Sequence, residues 1–408
     1  MIMIIIINEK DRWNLMAKYF FSSSFLLFLG NWIGQVGLNW FVLTTYHNAV
    51  YLGLVNFCRL IPILLLSVWA GSIADKYDKG LLLRITITSS FIITALLCLL
   101  TYSLNSIPIF IILLYATFRG ILSAVETPVR QAVLPDLSSK ISTTQAVSFH
   151  SFIINICRSI GPAIAGGLIA VYHTPTTFLA QAVCYFIAAV LCIPIHFEVI
   201  LSQKEGKALP LKVVLNYFKS NLEGSQIFIT SIIIMATGFS YTTVLPVLTN
   251  HIFPGQSQVF GIAMTFCAIG GIVATIVLPS ILKHLSTVKM YYLSSILFGI
   301  ALLGIIIHHL VVMFICITLI GLFSQWARTT NRVYFQHSVK DCDRGKVLSI
   351  IMMDRGMIPL GSLIMSFFAD MFGILTTFTI MGICTISISL IFYIIQRISN
   401  MEESNNES

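Results

Sequence analysis

The sequence predicts an all-α integral membrane protein, with about twelve spanning helices in two six-helix bundles. Three observations carry this prediction. The 408 residues are 57% hydrophobic and only 10% charged, against roughly 25% charged in soluble chains. Apolar runs of about 20 residues, the length that crosses a bilayer, recur along the whole chain. Lysine and arginine gather in alternate connections between those runs, as loops on one side of a membrane do. The net charge of +8 therefore belongs to short loops rather than to a nucleic-acid surface.

The first half of the chain gives runs at 19–46, 49–74, 80–103, 108–131, 144–172 and 175–197. The second half gives 224–250, 257–282, 288–308, 310–336, 345–371 and 373–396. The predicted parts are a terminal segment 1–18, bundles 19–197 and 224–396, a linker 198–223 and a tail 397–408. In the linker, Leu211, Val214, Leu215 and Phe218 recur at helical spacing, which predicts an amphipathic helix on the membrane surface. Lys76, Lys79, Arg130, Lys140, Lys283, Lys289, Lys340, Arg344 and Lys346 lie in or beside alternate loops, and the intervening loops carry no Lys or Arg. This bias places both termini and the linker in the cytoplasm. Met1–Ile7 is apolar but precedes charge, the reverse of a signal peptide.

Nine cysteines are scattered, with no CxxC pair and no Cys/His spacing suited to zinc, so no metal or cofactor is expected. The phosphate-binding GxxxxGK[ST] and the hydrolase patterns HExxH and GxSxG are absent, which argues against an enzyme.

Polar residues inside the runs are the candidates for function, because a charge at mid-bilayer costs about 2.5–3.5 kcal/mol and needs a partner or a cavity. Arg59, Arg119 and Arg158 fall near mid-span, and Asp354 and Arg355 lie in the eleventh run. With Glu126 counted, four arginines face two acids, a surplus that suits a carboxylate ligand. Arginines that only tie helices together through backbone carbonyls are the competing reading. Asn31, Gln35 and Asn39 form a polar stripe on one face of the first run, flanked by Trp32 and Trp40. That stripe either looks into a cavity or bonds neighbouring helices. Tyr241, Gln325 and Trp326 are second-half candidates for a cavity wall. Asp354 and Glu126 are candidates to carry a proton, with His150, His308 and His309 as groups that titrate near neutrality.

Between the second and third runs stands Gly71-Ser72-Ile73-Ala74-Asp75-Lys76-Tyr77-Asp78-Lys79-Gly80. A carboxylate such as Asp75 at a helix end can accept the free N–H groups of a neighbouring helix N-terminus. Glu126 and Arg130 sit four apart on one helix face, as a relay partner for this loop or as a surface ion pair. Arg158-Ser159-Ile160-Gly161-Pro162-Ala163-Ile164-Ala165-Gly166-Gly167 sets a kinking proline among small residues that admit close helix crossings. No strong residue-level repeat relates the halves, and near Pro279–Lys289 no acid matches Asp75.

The loop from Gly71 to Gly80 resembles the signature loop of the major facilitator superfamily, with Asp78 and Gly80 as departures. Gly161, Pro162, Gly166 and Gly167 resemble the glycine–proline element of that family's exporters. Thr127–Asp136, Arg344–Val347 and Pro359–Leu363 resemble the branch that contains the enterobactin exporter. The resemblance covers nearly the whole chain. It implies that Gly71, Asp75, Lys76 and Lys79, with Glu126 and Arg130, act as a gate or latch. It also implies a monomeric secondary transporter of the bacterial cytoplasmic membrane. The expected activity is proton-driven export of a small anionic or amphipathic molecule, such as a siderophore (a polycarboxylate one by the arginine surplus) or a drug. Import of a similar ligand and a non-transporting membrane sensor are the rival expectations.

Overall fold

The computed structural model describes residues 9–104, 106–135, 137, 143–195, 211–339, 351, 354 and 356–406. The described residues are helical apart from short connections. In order they are α1 Glu9–Tyr46, α2 Ala49–Lys76, α3 Lys79–Ser103, α4 Ile109–Val133, α5 Thr143–Tyr172, α6 Pro175–Cys192 and α7 Leu211–Ser220. There follow α8 Leu222–Thr237, α9 Tyr241–Ile252, α10 Ser257–Ile281, α11 Thr287–Gly304, α12 Leu310–Ser338, α13 Met357–Phe372 and α14 Ile374–Asn406. Eleven helical stretches are long and apolar enough to cross a membrane, and α13 is a shorter apolar helix. Large apolar side chains such as Leu65, Trp69 and Ile276 stand exposed on the outside. Water would penalise that surface, whereas lipid accepts it.

Contacts divide the chain into two compact units, Met1–Thr45 with Cys58–Gly206, and Tyr46–Phe57 with Lys207–Ser408. In the first, Phe20, Leu27, Leu83, Val129, Tyr185 and Cys192 share a core. Three glycines let α1 lie against α6: a side chain at Gly30, Gly34 or Gly37 would strike Cys184, Gln181 or Thr177 respectively. This close crossing holds Asn31 and Gln35 in register against α6. Charges at and just after the start of α3 meet helix ends. Asp78 accepts the Gly80 and Leu81 amides at 2.9 and 3.1 Å. Lys79 donates to the Ala132 carbonyl in the last turn of α4 at 3.1 Å. Arg84 donates to the Ile193 carbonyl just past α6 at 3.0 Å. An acid thus sits at a helix start and cations sit at helix ends, as the helix dipole favours.

The second unit differs from expectation in one place, and its linker helix makes contacts that the sequence did not specify. The run 224–250 is not one helix but two, because Gly238, Phe239 and Ser240 form a turn between α8 and α9. The Gly238 and Phe239 amides share the Ile234 carbonyl, so the regular ladder slips there. The linker helix α7 does not offer all of its apolar face to lipid. Phe218 stacks on Phe228 at 4.9 Å, and both Tyr217 and Phe218 contact Phe335. Leu211, Val214 and Leu215 lie outside the residues whose side chains are described.

Candidate substrate cavity

The first unit has a half-open cavity of about 310 Å³ lined by α1, α2, α4, α5 and α6. Asn31, Gln35, Arg59 and Arg119 all line it, so the sequence-predicted polar residues of three helices converge. Arg119 is 3% exposed. It donates to Ser90 Oγ and Asn31 Oδ1 at 2.7 Å each and to the Tyr185 hydroxyl at 2.8 Å. Tyr185 in turn donates to Asn31 Oδ1 at 2.8 Å and accepts from Gln181 at 2.9 Å, while its ring lies 5.0 Å from the guanidinium carbon. Every one of these partners is neutral, so the Arg119 charge is held in place without being cancelled.

Arg59 adds a second positive charge, and the two guanidiniums act on each other. Its Nε is buried and has no hydrogen-bond partner among the described residues. A side chain at Gly120 would collide with the Arg59 carbonyl, so the bare glycine is what lets α4 lie against α2 here. Among the described lining residues there is no Asp or Glu. Arg59 and the buried Arg119 face one small space; Glu126 acts on Arg119 from outside the described lining but is itself paired with Arg130, so the cavity suits an anion.

The other predicted positions fall around this centre. Arg158 lies over the Trp32 ring at 5.8 Å, and Trp32 is itself a wall of the cavity. Gly161 gives Trp32 room, since a side chain there would meet the Trp32 Cβ at 2.6 Å. Pro162 lies inside α5, Gly166 is buried beside it, and Gly167 faces open space. Asn39 is buried two turns along α1 from Asn31. The side chains of Gly71, Asp75 and Lys76, and all of Arg355, lie outside the described residues.

Glu126 and Arg130 form a buried pair, not a surface one, with Nε–Oε1 at 3.0 Å and side chains 4% and 1% exposed. Arg130 also donates to Ser24 Oγ at 2.6 Å, and Phe20 and Phe28 flank its guanidinium. His150 stacks beside the same two rings, with Nε2 unpartnered among the described residues. In the second unit, Asp354 is 5% exposed and accepts from Ser231 at 2.7 Å and Asn331 at 3.3 Å. Of the second-half wall candidates, Tyr241 bonds Cys267 and Trp326 donates to the Ala274 carbonyl, both within the helix packing. Gln325 accepts from Arg328 at 2.8 Å.

Sequence reasoning passed over Ser90, Tyr115, Gln181, Tyr185 and Arg328. A signal was present: Tyr115 and Arg119, and Gln181 and Tyr185, are polar pairs one turn apart inside apolar runs.

Comparison with known proteins agrees with this architecture. The chain is 75% identical over 394 residues to the staphyloferrin A transporter of Staphylococcus aureus (strain NCTC 8325 / PS 47), covering 96% of this chain and 99% of that one. It is 19% identical over 406 residues to macrolide efflux protein A of Streptococcus pyogenes, covering 97% and 99%. Its fold is similar to that of a bacterial homologue of the human lysosomal transporter Spinster, with TM-score 0.76, 11% identity and coverage of 96% and 98%. Residues 16–408 match the family described as transmembrane secretion effector. The chain is therefore a multi-pass membrane protein that belongs to the transmembrane secretion effectors of the major facilitator superfamily, transporters and not enzymes.

Proposed function

We propose that this transporter exports staphyloferrin A, or a closely similar anionic siderophore, from a bacterial cell in exchange for protons. The observation that carries the reading is the cavity with Arg59 and Arg119 on its wall and no acid among its described lining residues. A guanidinium meets a carboxylate through two parallel N–H donors, and burial strengthens that pairing. The relative named a staphyloferrin A transporter supports the cargo. The glycine–proline element of α5 and the macrolide efflux relative support the outward direction. The positive-inside pattern supports cytoplasmic termini in the cytoplasmic membrane, and the protein works as a monomer by alternating access. Asp75 at the end of α2 serves as the latch, and Asp354 exchanges the proton.

Deleting the gene tests the reading. The mutant cell should retain newly made staphyloferrin A inside while the medium is depleted of it. Normal release with failed uptake would overturn export. Arg119→Gln in the purified protein should weaken staphyloferrin A binding by about 10- to 100-fold, the worth of a charge-assisted bond. Unchanged affinity would remove the cavity from the mechanism.

A further inference from the structure

Independently of the cargo, we infer that a groove between α1 and α5 of the first unit binds an anionic phospholipid of the surrounding bilayer. The lipid head meets Lys18, and an acyl chain runs inward along the two helices.

The groove is open, about 1070 Å³ in volume, and is formed by α1 from Ala17 to Leu26 and by α5 from Gln145 to Ile156. It shares no described lining residue with the cavity at Arg119. The two helices run in the same direction: Phe21 meets Phe149 edge-on at 4.9 Å, and Cys157 Sγ donates to the Phe25 carbonyl at 3.4 Å. The polar lining residues gather at the start of both segments, with Lys18 and Ser22 on α1 and Gln145 on α5. The apolar spans of these helices begin at Leu15 and Gln145, so Lys18 stands where both enter the bilayer. Beyond Ser22 and Gln145 the described lining is wholly apolar, through Phe25 and Leu26 on one wall and Phe149, Phe152 and Ile156 on the other. Ala17–Leu26 and Gln145–Ile156 advance about 14 and 16 Å at 1.5 Å per residue. The hydrocarbon core is about 30 Å thick, so the groove runs the depth of one leaflet.

The floor of the groove is the packed core of the unit, where Phe21, Ala146 and Ile153 are buried. Its rim is aromatic, with Phe149 49% and Phe152 57% exposed. This order of polarity selects the occupant. A free anion has no use for the apolar depth, and a neutral amphiphile does not match the Lys18 charge. A phospholipid with a negative head matches both, because its phosphate meets the exposed ammonium at the surface while its chain fills the phenylalanine-lined slot. The positive-inside pattern supports the cytoplasmic leaflet as its source. A second groove, about 450 Å³ between α3 and α6, supplies the contrast: its described lining, which includes Phe91, Leu99 and Phe186, is wholly apolar. That groove suits the chain of any lipid, whereas the one between α1 and α5 selects by head. A lipid seated there ties α1, which carries Asn31, to α5, which carries Arg158.

The test is photocross-linking of the full chain in phosphatidylcholine nanodiscs. Tracer phosphatidylglycerol or phosphatidylcholine carries the same photoreactive acyl chain, and labelled peptides are read by mass spectrometry. Phosphatidylglycerol should label residues 17–26 and 145–156 about fivefold more than phosphatidylcholine does, the worth of one lysine at a membrane surface. Lys18→Gln should abolish that preference, whereas Lys289→Gln, at an exposed lysine of the second unit, should leave it intact. Ser22→Trp, at an exposed lining position, fills the groove and should reduce labelling there by both lipids. Labelling near Phe91 and Phe186 should show no head preference. Equal labelling of the α1–α5 groove by the two lipids overturns the inference, as does a preference that survives Lys18→Gln. Loss of the label on adding staphyloferrin A would make the groove a cargo site, and loss on self-association would make it an interface between copies; either result also overturns it.

Discussion

In the first unit a carboxylate and a guanidinium share one helix, Glu126 and Arg130 on α4. In the second unit Asp354 takes its direct hydrogen bonds from neutral donors on other elements, Ser231 on α8 and Asn331 on α12. The difference bears on which site would exchange the proton in the proposed mechanism. Neutralising Glu126 strands a guanidinium whose side chain is 1% exposed, and an uncompensated buried charge is strongly penalised. Neutralising Asp354 leaves its donors a carboxyl oxygen to bond. The first arrangement suits a permanent strut, the second a group that changes charge while the fold persists.

The largest expected effect breaks the strut. Glu126→Gln should cost about 3–5 kcal/mol, the range for losing one partner of a buried ion pair, read as thermal unfolding in detergent. Asp354→Asn should cost less than about 1.5 kcal/mol by the same measurement. Equal losses would erase the contrast between the units. A second effect sharpens it. Asp354→Asn vesicles should lose the dependence of transport on an imposed pH gradient while still exchanging cargo; a gradient response of wild-type size would return the coupling role to another group.

The smallest effect concerns the backbone. Among the described residues, four adopt left-handed φ: His47 at 50°, His173 at 69°, Gly255 at 74° and Gly373 at 82°. They occupy the first and fifth connections of each half, between α1 and α2, α5 and α6, α9 and α10, and α13 and α14. A left-handed turn burdens a side chain that glycine lacks. His173→Gly should therefore stabilise the protein by up to about 1 kcal/mol, and Gly373→Ala should destabilise it by about as much. Matched melting curves check both, and a stabilising Gly373→Ala would contradict the turn geometry.

That last pattern also shows what the sequence carried and what it did not. The matching places of these four positive-φ residues are hard to see in residue identities, because His and Gly do not look alike. The spans were legible because lipid demands long apolar helices, and the arginines were legible because they break that rule. The i,i+4 spacing of Glu126 and Arg130 was legible as well. Their burial was not, since it depends on Phe20, Phe28 and Ser24 arriving from α1. The break at Gly238–Ser240 hid inside an unbroken apolar run, with Gly238 and the later Pro246 as its faint marks. The neutral cradle of Arg119 needed three helices to face one another, which no single stretch encodes.

Trp32 gives the cavity an optical property of its own. Its indole forms part of the wall, lies under the Arg158 charge and leans on Gly161. The emission of an indole depends on nearby charge and water, so filling or emptying this space changes the light the protein emits. Only five tryptophans are present in the chain, and subtracting the Trp32→Phe spectrum isolates this one. The transporter thus carries a built-in lamp beside its charged wall, and occupancy can be followed through time without attaching a dye.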